Sequence, residues 1–161
     1  MSTYQTFKAR IQDRFGLWTD CVINGESFIT PHLKWGEVAN YKCEEDIKMV
    51  LPFESFIYFS QWEEFRLYYG KPLVISSGYR SPTFNKEVGG TANSLHLTMQ
   101  ATDNVIGSIS DAFWAQCCNW GLAIAHKYGN QCELGRYSNR IHLGFGKLSY
   151  TTKELFTYDK R

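Results

Sequence analysis

No stretch of the sequence approaches the ~20 consecutive apolar residues that a membrane-spanning helix needs. Charge of one sign is also lacking, because the formal net charge is +1 and no charge run or basic tail occurs. Neither a nucleic-acid partner nor a membrane partner is therefore expected. The first residues, Met1 to Tyr4, lack a charged segment leading into an apolar one. The sequence thus predicts no export signal and a protein made in the cytoplasm.

The cysteines show no pattern of disulfide pairing. The five cysteines contain no Cys-x-x-Cys pair, and an odd number cannot all be joined to one another. They are typical of reduced thiols in a cytoplasmic chain: Cys21, Cys43, Cys117, Cys118 and Cys132. The 161 residues suit one domain with its own core, spanning 1–161, and the 16% aromatic content indicates a core rich in rings.

The N-terminal part, 1–72, is predicted to be helical. A first amphipathic helix ending at Gly16 is indicated by apolar residues at helical spacing, namely Tyr4, Phe7, Ile11 and Phe15. Thr30-Pro31 predicts the start of a short helix through Trp35 and Val38. His32 at that start is a weak candidate metal ligand, since an exposed or capping histidine is the commoner case. The strongest helix is predicted from Pro52 to Tyr69, with an apolar side formed by Phe53, Ile57, Trp62, Phe65 and Tyr69.

The rest of the chain alternates strand and helix patterns. Strands are predicted at Val74–Ser77, 102–106, 122–125 and 141–145, and a helix from Ser108 or Ser110 to Gly121. Residues 127–139 are polar and predict a loop or hairpin, and Thr151 with Glu154 predicts the cap of a last short helix. These elements predict a single α+β domain with a small, mostly antiparallel sheet and flanking helices.

Turn-forming residues and two metal-ligand types fill the long segment between the strands at Val74–Ser77 and 102–106. Loops of about 25 residues are uncommon in compact domains and are usually functional. His96 and Asp103 lie near the end of this one. Their seven-residue offset would place them on opposite faces of a continuous strand. The turn between them must therefore fold back for the two side chains to converge.

Fourteen residues in this segment match a known pattern in order. They are Ser77-Gly78-Tyr79-Arg80-Ser81-Pro82, Asn85, Val88-Gly89-Gly90, Ser94-x-His96 and Ala101-x-Asp103. The pattern resembles the zinc D-Ala-D-Ala carboxypeptidase and peptidoglycan L,D-endopeptidase family. The signature region would span 74–145 of a single D-Ala-D-Ala carboxypeptidase-like domain.

The resemblance implies one zinc ion held by His96, Asp103 and His142, where His142 lies on the alternating strand 141–145. Two histidines and one carboxylate leave a fourth position open for water. The resemblance also implies that Arg80 binds a substrate carboxylate or stabilises the oxyanion. Arg80 and Ser94 are the substrate-binding candidates, and Ser94 and Asn85 are also expected to tie the loop backbone. A salt bridge that holds the loop is the simpler alternative for Arg80.

Three departures from the family pattern bear on activity. Met99 replaces a usual glycine, which predicts strain or a changed turn. Asn139 and Gly144 stand where family members often carry the acid that acts as general base. Glu133 and His126 are the substitutes that the sequence offers for this base. For each, an ordinary role is the open alternative: a solvated loop carboxylate for Glu133 and a satisfied strand-end histidine for His126.

Three functions follow as hypotheses. The first is a zinc peptidase that cuts peptidoglycan stem peptides next to D-amino acids, as a phage lysin or virion-associated enzyme acting at the cell wall or in a phage particle. The second is a catalytically degenerate module of the same fold, serving as a structural or wall-binding protein with virion partners. The third, a nucleic-acid or protein-binding domain unrelated to walls, is disfavoured by the near-zero net charge and the motif.

Overall fold

The computed structural model describes residues 6–39 and 48–161. The helices in these ranges are α1 (Trp35–Val38), α2 (Phe53–Tyr69), α3 (Pro82–Glu87), a 3₁₀ helix (Leu95–Thr98) and α4 (Asp111–Tyr128). The strands are β1 (Thr6–Gln12), β2 (Trp18–Asn24), β3 (Phe28–Thr30), β4 (Leu33–Lys34), β5 (Met49–Leu51), β6 (Val74–Ser77), β7 (Ala101–Val105), β8 (Gln131–Arg136), β9 (Arg140–Gly146) and β10 (Leu155–Asp159). The predicted α+β class is confirmed.

The largest sheet carries the candidate site. Its strand order is β10-β8-β9-β7-β6, and β10 pairs parallel with β8 while the other neighbours are antiparallel. Side chains alternate between its two faces. One face, which includes Leu134 and Leu143, is buried in the core shared with α2 and α4. The other face lines an open cleft. A smaller sheet has the order β2-β1-β5, and β3 pairs with β4.

Helix α2 supplies most of the aromatic core. Its largest fully buried side chains are Tyr58, Phe59, Trp62 and Phe65. Two of them satisfy polar groups of the sheet, because Trp62 Nε1 donates to Asn104 at 3.0 Å and the Tyr58 hydroxyl lies 2.7 Å from that of Thr102. The predicted helix and its aromatic core are confirmed, but the side of α2 that is buried differs from the predicted side. It includes Gln61, which pairs with Asn130, and leaves Phe53 exposed.

The second long helix, α4, is longer than predicted. Ser110 caps it by accepting a hydrogen bond from Phe113 N, and it continues through Gly121 to Tyr128. The predicted stop at Gly121 and the strand at 122–125 are therefore wrong. A Cβ at Gly121 would lie 2.7 Å from Cys132 Sγ. This glycine thus allows α4 to approach β8, and it does not end the helix.

The predicted first helix is wrong as well. Phe7 and Ala9 are buried while Thr6, Lys8 and Arg10 are exposed, which is the alternation of a strand, β1. An offset of four residues, as between Phe7 and Ile11, puts side chains on one side in a helix and in a strand alike. Phe15 lies beyond β1 with 74% of its surface exposed. Tyr4 lies outside the described residues.

One further prediction is corrected by pairing distant in sequence, because the expected last helix is β10, whose Leu155–Asp159 pairs along β8. Phe156, Thr157 and Tyr158 are residues with high strand preference. Residues 131–136 form β8, which pairs antiparallel with β9, so the hairpin alternative for 127–139 is the one that the structure shows. The helix predicted from Thr30-Pro31 starts later, at Trp35, after the β3–β4 hairpin.

Cys21, Cys117, Cys118 and Cys132 are free thiols, and Cys43 lies outside the described residues. Among the residues that the structure describes, no helix has the length and apolar character required to cross a membrane.

Candidate metal centre

His96 is held by the 3₁₀ helix at the end of the long β6–β7 connection. Ser94 caps this helix by accepting a hydrogen bond from His96 N at 3.4 Å. The His96 side chain is 2% exposed, and its Nδ1 lies 2.7 Å from the carbonyl oxygen of Gly78. A carbonyl only accepts, so Nδ1 carries the proton and Nε2 presents a lone pair. This is the usual support of a metal-binding histidine.

Asp103 and His142 are directly opposite each other on β7 and β9. The Asp103 Oδ1 atom lies 3.0 Å from His142 Nδ1 and 3.6 Å from His96 Nε2. One ligand atom from each of the three residues lies within 4.8 Å of the others, and all three residues are buried. The turn between His96 and Asp103 thus folds back, as the odd offset required.

The chemistry of these groups fits a divalent metal ion. His96 Nε2 and His142 Nε2 are both buried without a hydrogen-bond partner. Buried polar nitrogens are rarely left in this state unless a ligand satisfies them. Two imidazoles and one carboxylate are a set that zinc takes in catalytic sites. The orphaned nitrogens therefore support a metal site here, with His96, Asp103 and His142 as its candidate ligands.

Electrostatics favour an ionised carboxylate at the centre. Burial opposes ionisation of Asp103, but the two histidines beside it hold its pKa well below the usual range. Burial lowers the pKa of His96, which keeps this ring neutral. Burial also disfavours a charged His142, yet the Asp103 and Glu133 carboxylates outweigh it and raise its pKa to about 9. Asp103 is thus ionised at neutral pH.

Met99 makes the turn that leads from His96 into β7. Its φ of 52° and ψ of 42° lie in the left-handed region, and its side chain is fully buried. Met99 is the only non-glycine residue with positive φ in the part of the chain that the structure describes. Of the two expected outcomes, strain or a changed turn, the structure shows the first, because Met99 adopts the left-handed conformation that suits glycine. Burial of the thioether offsets the cost of this conformation.

Arg80 lies in the wall of the cleft and is 16% exposed. Its Nη2 donates to Asp103 Oδ2 at 2.7 Å, and its Nε donates to Ser77 Oγ at 3.0 Å. Arg80 therefore fixes the second carboxylate oxygen of Asp103. Both expected features, the loop-holding ion pair and the position beside the candidate metal site, are present together. Ser94 also lines the cleft.

Glu133 and His126, the two candidate bases, occupy different places. Glu133 is on β8, and its 14% exposed carboxylate puts Oε1 3.1 Å from His142 Nε2, outside hydrogen-bond alignment. It lines the same cleft as the three candidate ligands. His126 is at the end of α4, where its Nε2 lies 2.7 Å from Glu154 in an exposed pair. The geometry brings Glu133 to the site and separates His126 from it.

His32 is likewise outside the cleft, where its Nδ1 contacts the carboxylate of Glu63 on α2. Asn139 is exposed in the β8–β9 turn, where its carbonyl accepts from Ile106 N and Gly107 N. Gly144 pairs in register with Glu133, and a Cβ at Gly144 would lie 3.3 Å from His142 Nε2. Glu133 thus places a carboxylate on the neighbouring strand, next to position 144.

A row of residues across all five strands organises the cleft. In register from β10 to β6 it consists of Tyr158, Gly135, His142, Asp103 and Ser77. The Tyr158 ring lies across Gly135, with its centroid 6.0 Å from that of His142. The cleft has a volume of about 820 Å³. Its wall on the β10 side is formed by Tyr137, Arg140, Tyr150, Phe156, Tyr158 and Lys160.

This aromatic and basic wall was not predicted from the sequence. A short helix was expected after Thr151 and Glu154, where the structure has β10, and Tyr137 was expected in a polar loop or hairpin. The alternation of Phe156, Tyr158 and Lys160 was the available signal, because residues two apart in a strand share a face.

Gly135→Ala is expected to disturb the Tyr158 position specifically. The new Cβ would lie 2.3 Å from two ring carbons of Tyr158, so the ring must move. Overpacking of this kind costs about 1–3 kcal/mol of stability, measurable by urea unfolding. In a Tyr158→Ala background the same substitution should cost much less, because the ring is gone. Equal costs in both backgrounds would contradict this packing.

The fold and the site together define an α+β domain with a candidate centre of two histidines and one carboxylate. The family model of Peptidase M15 matches residues 40–144, more than half of the chain, including His96, Asp103 and His142. The chain therefore belongs to this family of zinc D-Ala-D-Ala carboxypeptidase-like proteins. The resemblance inferred from the motif is confirmed. No curated protein matches the chain.

Proposed function

We propose that this protein is a zinc-dependent peptidase that hydrolyses peptidoglycan stem peptides next to D-amino acids. Membership of the Peptidase M15 family supports the reaction class. In the proposal one zinc ion is held by His96, Asp103 and His142. A phage lysin, or an enzyme carried in a virion, is the setting that we propose for it.

One observation favours an enzyme over a catalytically degenerate module. Glu133 places a carboxylate in the cleft that contains the candidate metal ligands, 3.1 Å from His142 Nε2. A hydrolase of this type needs a base within reach of the attacking water. The acids that the family often carries are replaced here by Asn139 and Gly144. Glu133 stands in register with Gly144 and takes over the missing function.

In the proposed reaction, Glu133, Arg80 and Ser94 have different roles. A bound zinc ion supplies an activated water and polarises the scissile carbonyl. Glu133 accepts a proton from the attacking water and returns it to the leaving amine. Arg80 holds Asp103 through Nη2 and has further N–H groups in the cleft wall for a substrate carboxylate or an oxyanion. Ser94 supports the His96 turn and lines the same cleft.

A second candidate is the degenerate wall-binding or structural module. The absence of an acid at positions 139 and 144 favours it. It differs from the enzyme in one measurable respect, since such a module would bind zinc and walls but release no peptide products.

Incubation of purified cell walls with the zinc-loaded protein tests the proposal. We expect turbidity to fall and new amino groups to appear, and mass spectrometry of the products identifies the bond that is cleaved. A chelator should stop the reaction, and added zinc should restore it. Wall binding with no product at any protein concentration would contradict the enzyme and support the module.

A further inference from the structure

The β10 side of the cleft carries two cations in a row parallel to that of His142. Lys160 follows Tyr158 by two residues, and Arg140 precedes His142 by two residues. Backbone bonds continue the row, because Lys160 N donates to Arg136 O at 2.8 Å and Tyr137 N donates to Arg140 O at 3.0 Å. Two residues of strand span about 6.6 Å. The row of Arg140 and Lys160 therefore lies two residues, about 6.6 Å along the strands, from the row that contains His142.

Both cations rest on aromatic rings of the same wall. The Arg140 guanidinium lies 4.4 Å from the centre of the Tyr137 ring, and Lys160 Nζ lies 5.3 Å from that of Tyr158. Such contacts hold long side chains in place without neutralising their charge. The Tyr137 and Tyr158 rings also contact each other edge to face, with centroids 6.2 Å apart. The two cations are thus carried by one aromatic platform.

Neither cation has an ion-pair partner among residues 6–39 and 48–161. Asp159, the nearest acid along β10, alternates to the other side of the strand and pairs with Arg161 at 2.8 Å. Of the acids that line the cleft, Asp103 is bound by Arg80, and Glu133 lies against His142. Two positive charges therefore face the cleft without an internal counter-charge.

We propose that Arg140 and Lys160 form a carboxylate-binding subsite of this cleft. The substrate that it selects carries a free carboxylate within about two residues of the bond that is cleaved, since an extended peptide advances about 3.3–3.6 Å per residue. This inference rests on the proposed peptidase function and specifies its substrate. The residues of β10 lie outside the part of the chain matched by the family model, which ends at residue 144.

Two carboxylates of a stem peptide could occupy the subsite, and three peptides distinguish them. The parent is the N-acetylated tetrapeptide L-Ala-γ-D-Glu-L-Lys-D-Ala, which has a free α-carboxylate on D-Glu and a free C-terminus. The second peptide carries an amide in place of the D-Glu α-carboxylate. The third carries a C-terminal amide. Their affinities for the zinc-loaded protein are measured by titration calorimetry, and the peptides are then checked for cleavage.

We expect one of the two amidated peptides to bind more weakly than the parent. Each exposed ion pair is worth about two- to five-fold in affinity, so loss of both contacts should cost about ten-fold. The Arg140→Gln, Lys160→Gln double variant should bind the parent as weakly as wild type binds that amide. The difference should also shrink as salt is raised, because the contact is screened.

A matched control removes the same charge elsewhere. The Lys147→Gln, Lys153→Gln double variant changes exposed lysines that do not line the cleft, and should keep the wild-type preference. Equal binding of all three peptides by wild type, binding too weak to measure for all three, or an equal loss in the control variant would overturn the subsite. Failure to cleave any peptide would instead count against the peptidase function, because the binding comparison does not depend on turnover.

Discussion

His96→Ala is expected to abolish both zinc retention and wall hydrolysis. The substitution removes one of three candidate ligands, and the two that remain do not form a closed site for zinc. His96 is buried, and its ring orientation is fixed by Gly78, so no neighbouring histidine can take its place without a change in the loop. We expect metal content after dialysis to fall from about one zinc per chain to near zero, as measured by elemental analysis.

His126→Ala is the matched control for this loss. It removes a histidine of the same protein whose partner is Glu154 at an exposed position away from the cleft. Zinc content and hydrolysis should both stay at wild-type levels. A His96→Ala variant that kept one tightly bound zinc per chain would show that the metal is held elsewhere.

The parts of the site that could be predicted from the sequence are those fixed by short stretches of chain. Arg80 and the His96 turn lie in the connection between β6 and β7, and Asp103 lies on β7 itself, so the spacing of their motif is visible in the sequence. Helix α2 was predictable for a similar reason, because a long apolar period ends at Gly70, whose φ is 72°.

Elements that depend on distant pairing were not predictable in the same way. Nothing local distinguishes β1 from a helix, since Phe7 and Ile11 satisfy both periods. The position of β10 beside β8 depends on sheet register, which only the folded chain defines. Gly121 resembled a helix stop, yet its role is to let α4 approach Cys132 on β8.

The same reason explains why the cleft wall and the setting of Glu133 escaped the sequence analysis. Glu133 was named as a loop residue, but its orientation toward His142 follows from the pairing of β8 with β9. The row from Tyr158 through Gly135 to His142 joins the β8–β9 hairpin to β10, which lies further along the chain. Only the register brings these residues together, so motif spacing cannot indicate them.

Glu133→Gln is expected to separate zinc binding from catalysis. Glutamine keeps the size and polarity of the side chain but does not accept a proton at neutral pH, whereas His96, Asp103 and His142 are unchanged. Loss of a general base typically slows a reaction by about 10²–10⁴-fold. We therefore expect the rate of wall hydrolysis to fall by a factor in this range while zinc content stays near one per chain. The rate is measured as the release of amino groups.

Glu154→Gln provides the comparison for this effect. It makes the same chemical change at an exposed carboxylate that pairs with His126, so it also tests the other base suggested by the sequence. Its hydrolysis rate should match wild type.

Asn139→Asp should add little to the wild-type rate, because Glu133 already supplies a carboxylate beside His142. It should also not rescue Glu133→Gln, because position 139 lies in an exposed turn. Full activity of Glu133→Gln, or its rescue by Asn139→Asp, would show that the proton is taken by another group.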